Sequence, residues 1–405
     1  IIYNMNDTKL KFIDLFCGIG GFHQVLANEL GHECVLACDI DKSCREVYKS
    51  NYGLEPVPDV KKIKEKEMVD FDIICGGFPC QPFSNGGKKK TFDDDRGLLF
   101  DDIMRIAKEK RPKFMFLENV KHILKVGNGE VLDYIKKKIA GNGYKLQIIQ
   151  MSPHDYGIPQ QRERVYFVCV RNDIWEACED KEPIILLEDK TSIKGGNSFN
   201  KYLINKEDIE DEYMVKGNEL KALQAWDEMI KIFDVDEKIS PTIMVNEFYN
   251  TYNEEEFKEL AQWRQDYITK NRPLYEKYKE QWDAWYDKHR TLMNTREIYA
   301  KLEWQVGKIK PNDSIFNYFI QFRQSGIRVK KAQYFPTLVA INQTPVYGKE
   351  CRYITPREGA RLQSFPDSFK LPDNDKHAYK QLGNSVNCSN VKNVIKSTLC
   401  KYGYN

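Results

Sequence analysis

The 405-residue sequence contains no apolar run long enough to span a membrane, no secretory signal pattern and no internal repeat. These absences argue against a membrane-spanning protein and against a repeat architecture. Charged residues make up 30% of the chain, as in ordinary globular proteins. We therefore expect a soluble protein, and the length favours two domains.

The sequence also lacks an excess of charge of either sign, since 62 Lys and Arg residues face 60 Asp and Glu residues. Global charge therefore gives no argument for a nucleic-acid partner, although a binding groove needs only a local basic face. Local basic clusters occur at 88–90, 136–138 and 328–331. Each cluster alone is more typical of a solvated surface than of a binding patch.

The eleven cysteines lack the paired spacing of a disulfide framework, and none of the six histidines is a convincing general base. This cysteine usage favours a reducing, intracellular setting. His32, Cys34 and Cys38 have a spacing that could suggest a metal site. Because the two cysteines would share one face of a strand beside the sheet core, we predict no metal site.

Apolar runs alternate with amphipathic segments over the first 170 residues. The predicted strands are 12–16, 35–38, 71–75, 113–117, 145–151 and 165–170. The predicted helices include 97–108 and 130–140. This alternation predicts an α/β fold with a doubly wound, mostly parallel sheet. Residues 171–335 lack the alternation, and their aromatic residues at helical spacing between 248 and 286 indicate a helical core rather than a base-stacking platform.

One cysteine is distinguished by its neighbours: Pro79 and Pro82 frame Cys80 shortly after a predicted strand. Proline fixes φ and withholds an amide donor, so this segment holds the sulfur in a defined direction. A thiolate is the strongest ordinary side-chain nucleophile near neutral pH. The segment alone allows a nucleophile, a redox centre or a core residue. The lack of a nearby second cysteine weakens the redox interpretation.

Glycine and acidic residues follow several predicted strands, where ligands bind in open α/β sheets. Gly18, Gly20 and Gly21 form a turn after the first strand, Asp39 follows the second, and Glu118 follows the fourth. The turn lacks the third glycine of the dinucleotide fingerprint, which disfavours a bound NAD and an oxidoreductase. It suits a nucleoside cofactor without a pyrophosphate, such as S-adenosylmethionine. Alone, the turn also fits a plain connection, and Asp39 a plain helix N-cap.

Six segments resemble, in the same order, the motifs of the cytosine-C5 DNA methyltransferase family of bacterial restriction-modification systems. They are 12–22, 76–84 (GGFPCQPFS), 118–120 (ENV), 160–164 (QQRER), 352–366 (RYITPREGARLQSFP) and 381–387 (QLGNSVN). The resemblance covers about 1–170 and 345–395. It implies a Rossmann-like, S-adenosylmethionine-dependent methyltransferase sheet with a smaller, mixed target-recognition domain inserted into it.

The resemblance also implies the domain boundaries. We expect the catalytic and cofactor-binding domain at 1–185 plus 379–405. We expect the target-recognition domain, which would read the DNA major groove, at 186–378, with the helical aromatic-rich insert at 218–300.

The family's chemistry implies a role for each catalytic residue. The Cys80 thiolate would add to C6 of a cytosine that has been extruded from duplex DNA, which makes C5 able to accept a methyl group. Glu118 would bridge to N3 and the exocyclic amine. Arg164 is expected to donate to the cytosine O2 and Arg162 to brace Glu118 or the cysteine loop, although these two roles could be exchanged.

The resemblance further implies the cofactor site. The residues expected to bind S-adenosyl-L-methionine are Phe16, Gly18, Gly20, Gly21, Asp39, Ile40, Asp59, Val60, Pro79, Asn384 and Ser385. Phe16 would stack on the adenine, Asp39 would bind the ribose, and Asp59 would accept from the adenine amine. Ile40 stands where some family members carry an aromatic residue.

Two segments are expected to contact DNA. In the loop 84–96, the residues expected to meet phosphates or close over the flipped base are Ser84, Lys88, Lys89, Lys90 and Arg96. In the recognition domain, the residues expected to touch bases are Arg323, Gln324 or Arg328. Lys330 and Lys331 are expected to meet phosphate, with exposed solubilising charge as the alternative.

These expectations favour a site-specific DNA (cytosine-5-)-methyltransferase that acts as a monomer on double-stranded DNA in a prokaryotic cytoplasm. A cognate restriction endonuclease that acts separately is a compatible partner. Two alternatives stay open: a tRNA methyltransferase of the same family, and a catalytically silent DNA-binding regulator. The large segment after the sheet disfavours the first, and the presence of Cys80, Glu118 and both arginines disfavours the second.

Overall fold

The computed structural model describes residues 9–79, 99–191, 199–239, 242–250, 252–331, 333–339 and 343–404. The chain divides into two compact units, Ile1–Ile193 with Gly359–Asn405, and Lys194–Glu358. Residues 359–378 thus belong to the first unit, although the sequence-based boundary lay at 379. Two hydrogen bonds hold this segment in the first unit. The Gln363 side chain donates to the Leu382 carbonyl at 2.8 Å, and the Lys370 amide donates to Asn51 Oδ1 at 2.8 Å.

Strands and helices alternate through the first part of the chain, as the sequence pattern predicts. The strands are β1 (Lys11–Leu15), β2 (Glu33–Cys38), β3 (Ile73–Gly77), β4 (Phe114–Val120), β5 (Tyr144–Met151), β6 (Arg164–Arg171), β7 (Thr242–Met244), β8 (Lys301–Gln305), β9 (Phe319–Arg323), β10 (Gly326–Lys330), β11 (Val346–Tyr347) and β12 (Arg352–Tyr353). The helices are α1 (Gly21–His23, continued by a π-helical stretch at Gln24–Glu29), α2 (Lys42–Tyr52), α3 (Leu99–Lys110), α4 (Glu130–Gly141), α5 (Asn172–Ala177), α6 (Gly217–Ile230), α7 (Glu254–Glu259), α8 (Gln262–Lys277), α9 (Lys279–Met293), α10 (Pro356–Leu362), α11 (Asp375–Asn384) and α12 (Cys388–Lys401).

The first unit is built on a six-stranded sheet of order β2-β1-β3-β4-β6-β5. Strands β1 to β4 pair in parallel, and β6 is antiparallel to both β4 and β5. This confirms the predicted mostly parallel, doubly wound sheet. The chain runs from β1 to β2 on one side and then crosses to β3 on the other, so the sheet has a switch point between β1 and β3, where ligands bind in such folds.

The reversed direction of β6 brings an additional segment to the same edge. The last residue of β4, Val120, pairs with the first residue of β6, Arg164. The beginning of β6 therefore lies beside the carboxyl end of β4. A fully parallel strand would have placed Arg164 at the opposite edge of the sheet.

The second unit contains a separate six-stranded sheet of order β12-β11-β9-β10-β8-β7. Its core includes the fully buried Trp226 of α6 and Trp282 of α9, together with Trp285 and Tyr286. The aromatic residues at helical spacing therefore form a core, as their pattern indicates, whereas Trp263 stays 54% exposed. In the described part of the chain, no helix is long and apolar enough to cross a membrane.

One acid lies inside the first sheet. Asp14 of β1 is completely buried, and its Oδ1 lies 3.8 Å from the Cys75 thiol, a weak donor. Burial raises the pKa of the Asp14 carboxyl well above its ordinary value. The folded chain thus holds a proton at Asp14 at pH values where the unfolded chain has lost it.

An Asp14→Asn variant tests this protonation. Stability from a raised carboxyl pKa is fully present below the unfolded value of about 3.9 and is lost as pH rises towards the folded value, at up to about 1.4 kcal/mol per pH unit. The free energy of unfolding of the native chain, measured with urea, should therefore fall relative to that of the variant between pH 5 and pH 8. A difference that stays constant with pH would contradict the account.

Candidate active site

A cavity of about 460 Å³ opens at the carboxyl ends of the strands in the first unit. The lining residues that the sequence singles out are Phe16, Gly18, Asp39, Ile40, Asp59, Val60, Pro79, Glu118, Arg162, Arg164 and Asn384. Gly20, Gly21 and Ser385 are not among the lining residues. Cys80 lies outside the described residues, as do Ser84, Lys88, Lys89, Lys90 and Arg96.

The glycine turn after β1 forms one wall of this cavity. Phe16 has a φ of 54° and Gly18 a φ of 53°, so the chain turns through the left-handed region directly after the strand. A Cβ at Gly18 would meet no protein atom within 4 Å, whereas a Cβ at Gly21 would lie 2.5 Å from Val386 Cγ2. Gly21 thus permits a close approach of the C-terminal segment, and Gly18 borders open space.

Asp39 links the end of β2 to this turn. Its Oδ2 accepts from the Gly18 amide at 2.7 Å and its Oδ1 from the Asp41 amide at 2.8 Å. Burial raises the pKa of the Asp39 carboxyl. The N-cap of α2 is Asp41, which accepts from the Ser43 and Cys44 amides, so the alternative that Asp39 is a plain N-cap is wrong.

Glu118 lies at the end of β4 and is 8% exposed. Burial raises the pKa of its carboxyl, while the positive charges of Arg164 and Arg162 oppose that shift. Arg164 Nε lies 2.9 Å from Glu118 Oε1, yet that oxygen has no aligned hydrogen bond from any described residue. An acid held in this way faces the cavity with hydrogen-bonding capacity to spare.

Arg162 is buried, and two of its hydrogen bonds reach the C-terminal motif. Its Nη2 donates to the carbonyl oxygens of Gly383 at 2.9 Å and Ser385 at 2.5 Å. Burial and the neighbouring Arg164 lower the pKa of its guanidinium to about 9, which keeps it charged at neutral pH. Glu118 pairs with Arg164, and Arg162 ties the 160–164 segment to the C-terminal motif.

Two cavity residues carry roles that the sequence did not reveal. Asn119 donates from Nδ2 to the Phe78 carbonyl at 2.9 Å and so fixes the chain just before Pro79 and Cys80. Its place between Glu118 and Val120 was the only available signal. Lys380 reaches the cavity from α11 and pairs with Asp41 at 3.0 Å, a contact that no local pattern indicates.

The second unit holds the residues that the sequence assigned to base reading. Gln324 is exposed in the two-residue turn between β9 and β10, and Lys331 is exposed after β10. Arg323 and Arg328 instead face Glu303 of β8, at 3.6 Å and 2.6 Å. The burial of Lys330 and its proximity to Arg328 lower the pKa of its ammonium group. Glu303 is 6% exposed, and no sequence motif pointed to it.

An Arg162→Met variant tests the tie to the C-terminal motif. The change leaves two buried carbonyl oxygens without this donor, so we expect the free energy of unfolding to fall by about 3 kcal/mol. Urea denaturation measures it. The matched control is Arg361→Met, whose surface pair with Asp367 at 2.7 Å should contribute less than about 1 kcal/mol. Equal, small losses in both variants would contradict the assigned role.

Comparisons with known proteins agree with this geometry. The family model for C-5 cytosine-specific DNA methylases matches residues 10–400. The chain is 31% identical over 389 residues to the type II methyltransferase M.HhaI of Haemophilus parahaemolyticus, which covers 96% of this chain and 93% of that protein. It is also 31% identical over 422 residues to M.BanI of Aneurinibacillus aneurinilyticus, with 96% and 95% covered.

Solved structures show the same fold at lower identity. The Entamoeba histolytica methyltransferase EhMeth has a TM-score of 0.55 at 19% identity and covers 97% of this chain and 98% of its own. The Dnmt2 methyltransferase of S. pombe has a TM-score of 0.54 at 19% identity, with 97% and 99% covered. The fold, the motifs in order and the family match together establish that the chain belongs to the C-5 cytosine-specific DNA methylase family.

Proposed function

We propose that this protein methylates C5 of one cytosine within a specific sequence of double-stranded DNA, with S-adenosyl-L-methionine as the methyl donor. The membership of the chain in a family of DNA cytosine-5 methyltransferases supports the reaction. The observation that carries the assignment of residues is the cavity that joins the glycine turn, Glu118 and Arg164 at one edge of the sheet.

The lining of the cavity fits an adenosine-bearing sulfonium compound. Phe16 and the 83% exposed Ile40 offer apolar surfaces to a base, and the open space at Gly18 leaves room beside the turn. The Asp39 and Asp59 carboxylates offer acceptors to ribose hydroxyls and to an exocyclic amine. When bound, S-adenosylmethionine supplies an electrophilic methyl group.

Glu118 is the proposed acid for the cytosine ring. Burial raises the pKa of its carboxyl and so favours the protonated form, which would donate to N3 while its other oxygen accepts from the exocyclic amine. Arg164, whose Nε lies 2.9 Å from Glu118 Oε1, would donate to the cytosine O2 and balance negative charge in the ring. These contacts lower the cost of nucleophilic addition at C6.

Cys80 is the proposed nucleophile. Its thiolate adds to C6, which turns C5 into an enamine-like carbon that takes the methyl group. Loss of the C5 proton and elimination of the thiolate then give 5-methylcytosine. Asn119 supports this role because it fixes the Phe78 carbonyl two residues before the cysteine.

A base stacked in a duplex cannot reach a carboxyl that is 8% exposed, so the target cytosine must be extruded, at a cost of a few kcal/mol. Ser84, Lys88, Lys89, Lys90 and Arg96 are proposed to hold the DNA around the extruded base. The M.HhaI and M.BanI relatives come from bacteria and are named type II methyltransferases. We propose by analogy that the protein acts as a monomer on DNA in a bacterial cytoplasm, beside a separate restriction endonuclease.

A trapping assay tests the nucleophile. The substrate is long duplex DNA that carries 5-fluorocytosine in place of cytosine, so that it contains every short recognition sequence. Because the fluorine at C5 cannot leave as a proton does, the enzyme stays covalently attached to C6. With S-adenosylmethionine, the native chain should accumulate a covalent protein–DNA adduct, seen as a gel shift that survives denaturation.

The Cys80→Ala variant should form no adduct, and Cys178→Ala, which removes a partly exposed cysteine outside the cavity lining, should form it normally. Cys80→Ala protein that still methylates DNA would overturn the mechanism. Adducts with fluorinated tRNA but not with duplex DNA would overturn the substrate.

A further inference from the structure

Part of one face of the second sheet is polar and lies opposite the aromatic core. On β8, β9 and β10 the residues Leu302, Trp304, Ile320, Ile327 and Val329 point into that core. Side chains alternate along a strand, so the intervening residues share the other face. The polar part of that face includes Glu303, Gln321, Arg323, Arg328 and Lys330 and borders the buried Phe319. The strand register puts Glu303, Arg328 and Gln321 in one row across the three strands.

Glu303 is the acid of this row, and it is more deeply buried than the cations beside it. Its side chain is 8% exposed, against 27% for Arg328 and 26% for Arg323. Its Oε2 accepts from Arg328 Nε at 2.6 Å and lies 3.6 Å from Arg323 Nη1. A buried carboxylate between two arginines fixes both side chains more firmly than a surface pair would.

The two arginines differ in what remains available for a ligand. Arg323 is held at a second point, since its Nε donates to Gln343 Oε1 at 3.3 Å, and its Nη1 is buried. Arg328 is held through Nε alone, and neither of its terminal nitrogens has a hydrogen-bond partner among the described residues. Those two terminal nitrogens form the fork that binds O6 and N7 of guanine in a major groove.

We propose that Glu303 is a positioning residue for sequence recognition: it orients Arg328 so that the two terminal nitrogens of that guanidinium read one guanine of the target site, with Arg323 as a brace. The inference rests on the proposed function and deepens it. The sequence analysis expected Arg323, Gln324 or Arg328 to touch bases. The inference selects Arg328 as the residue that contacts a base and adds Glu303 as the acid that supports it. A carboxylate on Nε removes rotational freedom that the arginine would otherwise lose on binding DNA.

The test compares base preference in full-length variants. Sequencing of 5-methylcytosine in the genome of an expression host first gives the site that the native chain methylates. Duplexes with each base pair of that site changed singly then give relative kcat/KM values. Discrimination at a position is the ratio of kcat/KM for the native site to that for the changed site. Both Arg328→Lys and Glu303→Gln should lower this ratio at the same guanine by about tenfold or more. The double variant should lower the ratio little further than either single variant does.

The matched control is Glu247→Gln. Glu247 has the same 8% side-chain exposure and pairs with Arg264 at 2.5 Å, but it lies outside β8 to β10. It should leave base preference unchanged. If Glu303 only stabilised the fold, Glu303→Gln would instead lower kcat/KM equally on all duplexes. Should Glu303→Gln fail to fold, Glu303→Asp, which keeps the charge but shortens the reach, should show the same relaxed position.

The outcomes separate this inference from the proposed function. Relaxation at one shared guanine supports it. Unchanged preference in both variants, or a change in Arg328→Lys without one in the Glu303 variants, overturns it. A native chain that methylates no duplex DNA would instead overturn the proposed function itself.

Discussion

The proposed chemistry depends on the burial of the Glu118 carboxyl beside Arg164. Removal from water favours the protonated acid, and the guanidinium 2.9 Å away favours the charged one. The proposed proton donation to a ring nitrogen relies on this balance. The reversal of β6 makes this contact possible, because it places Arg164 opposite the last residue of β4.

The cavity is closed by chain segments that are far apart in sequence. The C-terminal motif returns to the first unit through the bonds from Arg162 to the Gly383 and Ser385 carbonyls. Val386 packs where a Cβ at Gly21 would stand. Residues 194–358 can therefore interrupt the chain without opening the first sheet, since the two parts of the first unit are tied together by buried polar contacts.

Much of this arrangement follows from the sequence, and what does not has a physical reason. The alternation of apolar runs with amphipathic segments predicts strands β1 to β6 to within a few residues. Glycine and acidic residues mark the carboxyl ends of several of these strands. Contacts of Arg162 and Arg164 depend on strand register and on α11, which no local pattern encodes. Lys380 and Glu303 acquire their roles only from partners 339 and 25 residues away in the chain.

The central claim is that Glu118 activates the cytosine ring for attack by Cys80. Such activation makes C5 exchange its proton with solvent even without a methyl donor, so it can be measured as tritium release from duplex DNA that contains [5-³H]cytosine. The native chain should release tritium. Glu118→Gln should release it at least about 100-fold more slowly. Release by Glu118→Gln at the native rate would contradict the account.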